Sequence, residues 1–596
     1  MNTEKSLKIA SSVPRTHTGS VPLRDDLRVV SSMLILRSAL SLLVIALLLS
    51  SCGPNEDAFS LLDTTGNASY KSPNAVTIDA SSLSNQSSGL SSEWYRDSAF
   101  YHIWVKAFND STGDGCGDIA GITEKLDYIR DTLGCDAIWL SPIFECSYKG
   151  KTADINMHGY DTNNYYAVNS YFGTEEDVET LLSEAHSRGM KVIFDFVPNH
   201  TSTSNSWFIN SRNKVGGKAS WYLWNDTPLN WSPMGNSNTW YLSSGRNQYY
   251  YAPFWSGMPD LNFRNLEVRE EMKNVARYWL NKGFDGMRID AIRYLVEDYM
   301  QWSETAGTYR WFDELRADVV DAYAEVSGGS PKFMVGEAWI NNNRTLLKTY
   351  FGTASTPEFQ MLFDFDFAGA VANAVMYRDS AVFTSTGFAP AAVPGARVGA
   401  MLSNHDNLSD RPATRYGNST QLRQASAISL LLPVTPFIYY GNEIGQEDDT
   451  FYGTGDIRLR QPFDWTVEAD MQNDASSLLG LYHGLLAVRS AYSDIRRGTV
   501  TMLDTDISGV YAYLLADPAD TGSSNIVCVF NLKGSSVPTV SISGTGAGGK
   551  ASLVAGSGGA SGWTVSGNTI QVNGIGANGY RVFAAGSDSE PLLYAY

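Results

Sequence analysis

Between Tyr101 and Tyr440 the chain alternates short, nearly continuous apolar runs with longer amphipathic stretches. Eight runs of strand length stand out: Tyr101–Lys106, Ala137–Leu140, Val192–Phe196, Gly286–Ile289, Phe333–Val335, Met361–Phe365, Val398–Leu402 and Pro436–Tyr440. Apolar runs of this kind suit strands covered on both faces, and the amphipathic text between them suits crossover helices. Eight such units predict a (β/α)8 (TIM) barrel rather than an open sheet. The pattern changes twice. The stretch from His200 to Asn262 is too long for an ordinary strand-to-helix loop. It holds Trp207, Trp221, Trp224, Trp231, Trp240 and Trp255, so an inserted domain over 201–262, forming one wall of a cleft, is expected. A last helix is expected from Ala475 to Arg497, with Leu478, Leu481, Leu485 and Val488 sharing one face. After it, Val510–Leu515, Ile526–Leu532 and Thr569–Val572, separated by Gly, Ser and Asp, predict a C-terminal antiparallel β-sandwich over 498–596.

The N-terminus reads differently. Leu34 to Leu49 is strongly apolar, with Arg37 near its start, and closes on Leu49-Ser50-Ser51-Cys52. This is the layout of an export signal. Its ending resembles a bacterial lipobox, which implies lipidation of Cys52 and a mature chain that begins there. The apolar run is short for a membrane span. The polar residues 1–32 are unusual ahead of a signal, and Met33 is a second candidate start. Residues 53–92 are rich in Ser, Asn and Gly, the composition of a flexible tether. The barrel is thus expected over 93–497, on an exported protein held to a membrane by its N-terminal lipid.

The 596 residues carry 63 acidic and 44 basic side chains, a net charge of −19. That excess disfavours nucleic acid, whose phosphates require Lys and Arg. The five cysteines include no Cys-x-x-Cys pair, which argues against zinc. Export permits a disulfide, but the spacing selects no pair.

Candidate chemistry gathers at the ends of the predicted strands. Asp195-Phe196-Val197-Pro198-Asn199-His200, Gly286-Met287-Arg288-Ile289-Asp290, Gly336-Glu337-Ala338-Trp339 and Ser403-Asn404-His405-Asp406 each join an apolar run to a carboxylate. Strands delivering acids to one rim build barrel active sites, and convergent carboxylates are what glycosidic cleavage requires. Two positions apart on a strand, Arg288 and Asp290 share a face. The Arg cation is expected to hold Asp290 ionised, as a nucleophile must be. Glu337 follows an apolar strand and precedes a Trp, a setting that raises a carboxyl pKa.

These four segments, in this order, resemble the signature regions of the α-amylase family of α-glucan hydrolases and transglycosylases. The resemblance runs from about Trp94 to the C-terminus. It implies Asp290 as nucleophile, Glu337 as general acid/base, and Asp406 as a third acid gripping sugar hydroxyls. It implies sugar contacts from His200, His405, Arg288 and the pair Tyr160-Asp161, with Tyr160 stacking on the sugar face. Met258-Pro259-Asp260-Leu261-Asn262 resembles the motif of the subgroup between oligo-α-glucosidases and neopullulanase-like enzymes. The stretch Asp110-Ser111-Thr112-Gly113-Asp114-Gly115-Cys116-Gly117-Asp118 spaces three carboxylates by four residues, which suits a hard cation. It resembles the family's Asp-x-Asn-x-Asp-Gly-x-Gly-Asp calcium loop. The implied Ca2+ ligands are Asp110, Thr112 in place of the usual Asn, Asp114, the Cys116 carbonyl and Asp118. After the nucleophile, Ala291-Ile292-Arg293-Tyr294 departs from the Lys-His that many α-amylases carry at the last two places.

The sequence reading is therefore a retaining hydrolase of α-1,4-glucosidic bonds in starch, maltodextrin or maltooligosaccharides, expected to be a monomer with no organic cofactor. The alternatives are an exo-acting α-glucosidase, a transglycosylase such as trehalose synthase, or a non-catalytic glycan-binding relative.

Overall fold

The computed structural model describes residues 75–79, 92–147, 158–298, 301–327, 331–384, 393–406, 410–449, 455–520, 524–557 and 562–595. Cys52, the apolar segment 34–49 and nearly all of the 53–92 stretch lie outside the described residues.

Eight parallel strands close into a barrel: β1 (Phe100–Ile103), β2 (Ala137–Leu140), β3 (Lys191–Phe196), β4 (Gly286–Ile289), β5 (Phe333–Gly336), β6 (Met361–Phe363), β7 (Arg397–Ala400) and β8 (Thr435–Tyr439). Each pairs with its sequence neighbours, and β8 closes onto β1 through Phe100↔Phe437. The predicted barrel is thus present, with its ends adjusted. β1 stops at Ile103, and Lys106 lies in a short helix, Val105–Phe108. β6 and β7 stop two residues earlier than expected. In β6 the turn that follows is held by Asp364, whose carboxylate accepts from the Asp366 N–H and pairs with Arg344.

The barrel interior is packed mainly with aromatic side chains. Phe100, Trp139, Phe333, Phe363 and Phe437 lie in one buried cluster with Ala137, Ile193, Val335 and Met361. Phe100 stacks on Phe437 with centroids 4.3 Å apart, and Tyr95 stacks on Phe333 at 4.9 Å. Room for these rings comes from Gly399, where a Cβ would stand 2.9 Å from Phe437 and 3.0 Å from Phe363. Burial of each large ring contributes about 1.5–3 kcal/mol.

Helices ring the barrel, and their ends are written locally. Glu175–Ser187 begins with a capping box between Thr174 and Asp177. Leu266–Lys282 starts on Asn265, whose side chain accepts the Glu267 N–H, and ends on Gly283 at φ 120°. The expected helix over 475–497 is two helices, Leu478–Ala491 and Ser493–Arg497, because Tyr492 adopts extended backbone (φ −118°, ψ 114°). Leu478, Leu481, Leu485 and Val488 are all buried, as their spacing predicts. No helix among the described residues is long and apolar enough to cross a membrane.

Two excursions leave the barrel. After β2, Phe144–Cys146 pairs antiparallel with Thr162–Val168. After β3, the chain leaves at His200 and returns at Asp260, which form a bridge. Between them lie the helix Ser206–Arg212 and a three-stranded antiparallel sheet of Trp224–Asn225, Gln248–Tyr251 and Trp240–Ser243. Trp221, Trp224, Trp231 and Trp240 are buried in this insert. The C-terminal region forms a nine-stranded, almost wholly antiparallel sheet. Val510, Val527, Val529 and Phe583 of one half share a core with Val540, Ile542, Ile570 and Val572 of the other, the face-to-face packing of a sandwich. Cys116, Cys135, Cys146 and Cys528 are buried.

Candidate active site

Strand register assembles the centre of the site. Asp195 on β3 pairs with Arg288 on β4, which pairs with Val335 on β5. Asp290 and Glu337 follow one residue beyond β4 and β5, so they emerge together at the carboxyl ends of adjacent strands. The Arg288 guanidinium is fully buried and serves three carboxylates. Its Nη1 lies 2.6 Å from Asp195 Oδ1 and 2.9 Å from Asp290 Oδ1, and its Nη2 lies 2.8 Å from Glu337 Oε1. The ring faces of Trp139 and Tyr160 stand 5.3 and 5.5 Å from it. A planar cation with five fixed donors can hold such an array; a Lys cannot.

Asp406 reaches the same space from beyond β7. His405 Nε2 stands 2.8 Å from the Tyr160 hydroxyl and 3.3 Å from Asp406 Oδ2. Arg460 donates to the His405 carbonyl at 2.9 Å and to Asp406 Oδ1 at 3.3 Å. The Tyr160 hydroxyl also donates to Asp195 Oδ2 at 3.0 Å. These groups enclose a cavity of about 380 Å3 lined by Tyr160, His200, Asp290, Glu337, His405 and Asp406. Its walls add Phe254, Trp255 and Met258 from the insert, with Ala291, Trp339, His158, Asp456 and Arg460.

Burial shifts the acids. Burial is the largest influence on each carboxylate and pushes it up: Asp195 to about 6, Asp290 to about 7 and Glu337 to about 8. Asp406 is raised too. Arg288 opposes each rise but does not cancel it. Arg288 favours the ionised form of Asp290, as its place on the strand predicts, while desolvation pushes the other way more strongly. Four acids compete around Arg288 and Arg460, and the charges of Asp290 and Asp406 push Glu337 up further. Burial drives His405 well below its ordinary range and His200 to about 3, so both imidazoles are neutral.

Of the residues singled out from sequence, Tyr160, His200, Arg288, Asp290, Glu337, His405 and Asp406 come together. Asp161 is not among the residues lining the cavity. The 110–118 loop closes on its own amides. Asp110 accepts the N–H groups of Thr112, Gly113, Asp114 and Gly115, and Asp114 accepts that of Cys116. Asp118 caps the helix Ile119–Glu124 and binds Ser111. Among the described residues no three acidic, His or Cys side chains converge as metal ligands. The carboxylates and carbonyls of the loop are nonetheless the hard oxygen donors a calcium ion takes. Sequence reasoning passed over Asp195 as a site residue although it stood inside a quoted motif. The missing signal was its register opposite Arg288. Arg460 carried no local signal, whereas Trp255 stood among the Trp residues of the insert expected to wall the cleft and does so.

A parallel eight-stranded barrel with three acids and an Arg gathered at its carboxyl-terminal rim is the frame of a glycosidase. Residues 102–497 match the family model "Alpha amylase, catalytic domain", and the chain belongs to the α-amylase family of glycoside hydrolases. It is 32% identical over 485 residues to alpha-amylase 3 of Dictyoglomus thermophilum, covering 74% of this chain and 86% of that protein. It is 31% identical over 519 residues to the trehalose synthase/amylase TreS of Mycolicibacterium smegmatis, covering 74% and 84%. The crystal structure of alpha-amylase from H. orenii superimposes with a TM-score of 0.66 at 28% identity, over 82% of this chain and 99% of that one.

Proposed function

We propose that this protein hydrolyses α-1,4-glucosidic bonds of starch, maltodextrin or maltooligosaccharides with retention of configuration. The observation that carries the reading is the Arg288 fork, which binds Asp290 on one nitrogen and Glu337 on the other. One guanidinium thus presents both acids to the same space, as a double displacement requires of its nucleophile and its acid. In the first step the Asp290 carboxylate attacks the anomeric carbon. The glycosidic C–O bond breaks as Glu337 transfers its proton to the departing oxygen. Asp290 is then esterified and Glu337 is ionised. In the second step Glu337 takes a proton from water, the hydroxide adds to the anomeric carbon, and the ester bond breaks to restore Asp290. Asp406, with His405 and His200 as neutral hydrogen-bonding groups, would hold the sugar hydroxyls, and Tyr160 would face the ring.

A time course of products from soluble starch and from maltotriose, followed by proton NMR, tests this. Early mixed oligosaccharides of α configuration from starch support an endo-acting amylase. Glucose alone, released faster from maltotriose, supports the α-glucosidase reading. Trehalose formed from maltose supports a synthase, and no product from any of these supports a glycan-binding protein.

In the same reading, Ca2+ held by Asp110, Thr112, Asp114, the Cys116 carbonyl and Asp118 would brace the loop, with the carboxylates exchanging some amide bonds for the ion. Lipidation at Cys52 would tether an exported monomer to a membrane. Globomycin-sensitive processing of the precursor, with palmitate labelling lost in Cys52→Ala, tests the anchor.

A further inference from the structure

The segment just after the nucleophile is bonded to the segment just after the acid. Ala291, at φ 51°, donates its N–H to Glu337 Oε2 at 3.2 Å. Ile292 donates its N–H to the Glu337 carbonyl at 3.3 Å. Arg293 donates from Nη1 to the Trp339 carbonyl at 2.5 Å. Three successive residues thus clip onto residues 337–339. The other side of the Arg293 guanidinium is ion-paired through Nε to Glu304, which also accepts from Ser303 and, at 3.4 Å, from the Tyr350 hydroxyl. Arg293 is therefore held between two partners, and it does not line the cavity. Trp339 does line it. Trp339 is 36% exposed, and its indole is backed by Phe365, with ring centroids 5.4 Å apart and planes 9° apart. A flat, backed, half-exposed indole is a surface on which a sugar ring stacks.

The leaving group departs toward the acid that protonates it, so a shelf two residues beyond Glu337 lies on the leaving-group side. We infer that Arg293 is a positioning residue: it does not touch substrate, but fixes the Trp339–Phe365 shelf on which the leaving sugar of an oligosaccharide rests. This deepens the proposed hydrolysis and rests on it. The fork is required because one cation must satisfy a carboxylate and a carbonyl in two directions at once.

The test compares maltotriose with α-glucosyl fluoride, whose one-atom leaving group cannot reach the shelf. Losing a charge-assisted hydrogen bond should raise the KM of Arg293→Ala for maltotriose roughly ten- to a hundredfold. Its kcat/KM for the fluoride should stay within about twofold of the parent. Arg293→Lys should fall between, and it carries the same comparison if the Ala variant does not fold. On a Trp339→Ala background, Arg293→Ala should add nothing to the maltotriose defect. Equal losses on both substrates, no loss on either, or additive losses in the double variant would overturn the inference. Absence of fluoride turnover by the parent enzyme would instead overturn the proposed hydrolysis.

Discussion

Glu337→Gln separates the proton from the shape of the side chain. In the folded protein burial carries the Glu337 carboxyl from 4.5 up to about 8, against the pull of Arg288. A rise of that size is worth on the order of 5 kcal/mol. The folded protein binds this proton more tightly than the unfolded chain, so the contribution is full below about pH 4.5 and is lost as the pH climbs toward 8. Gln cannot ionise and has no such loss. The variant should gain on the parent steadily between those limits. With an unfolding entropy of about 2.1 cal/mol/K per residue over a folded unit of roughly 500 residues, the full gain is about 5 °C in Tm. Scanning calorimetry of both proteins at pH 5 and pH 8.5, at one scan rate, measures it. Starch hydrolysis by the variant should fall by at least about a hundredfold, the usual contribution of a general acid. A Tm difference independent of pH would refute the assignment of the retained proton to Glu337. Normal hydrolysis would refute its role as the acid.

The parent enzyme should show a bell-shaped kcat/KM against pH, its acid limb set mainly by ionisation of Asp290 and its alkaline limb by loss of the Glu337 proton; in Asp406→Asn, which removes one repelling charge, the alkaline limb should move down. Arg288→Met should destabilise the fold by about 3–5 kcal/mol, because Asp195, Asp290 and Glu337 lose their shared cation; denaturant titration at pH 7 checks it, and a neutral outcome would mean the acids are neutral without Arg288. Phe437→Ala should cost about 3–5 kcal/mol by emptying the centre of the barrel, measured the same way. If the 110–118 loop takes calcium, adding Ca2+ to EDTA-treated protein should raise Tm in a concentration-dependent way, and Asp110→Asn should abolish that rise.

The eight strand cores were legible because a buried parallel strand must be apolar over its whole length, and that rule is local. The helix face of Leu478, Leu481, Leu485 and Val488 was legible for the same reason. Arg288 and Asp290 could be placed on one face because strand periodicity is two, and the acids could be placed at one rim because each follows its strand. What the sequence by itself determined was therefore the repeating unit, the residues at each strand end, and their chemical types.

Only the tertiary structure decided which groups meet and in what charge state. Asp195 joins Arg288 through inter-strand register, which depends on how distant segments pair. Arg460 enters from a loop 170 positions beyond Asp290, and no local pattern aims it. Arg293 was legible only as a departure from the family's usual Lys at that place; that it pairs with Glu304 and the Trp339 carbonyl is decided by the fold. The upward shift of the acids likewise follows from burial. A carboxylate's ionisation depends on the water it loses and the charges it faces, and both are properties of the closed barrel rather than of any one strand.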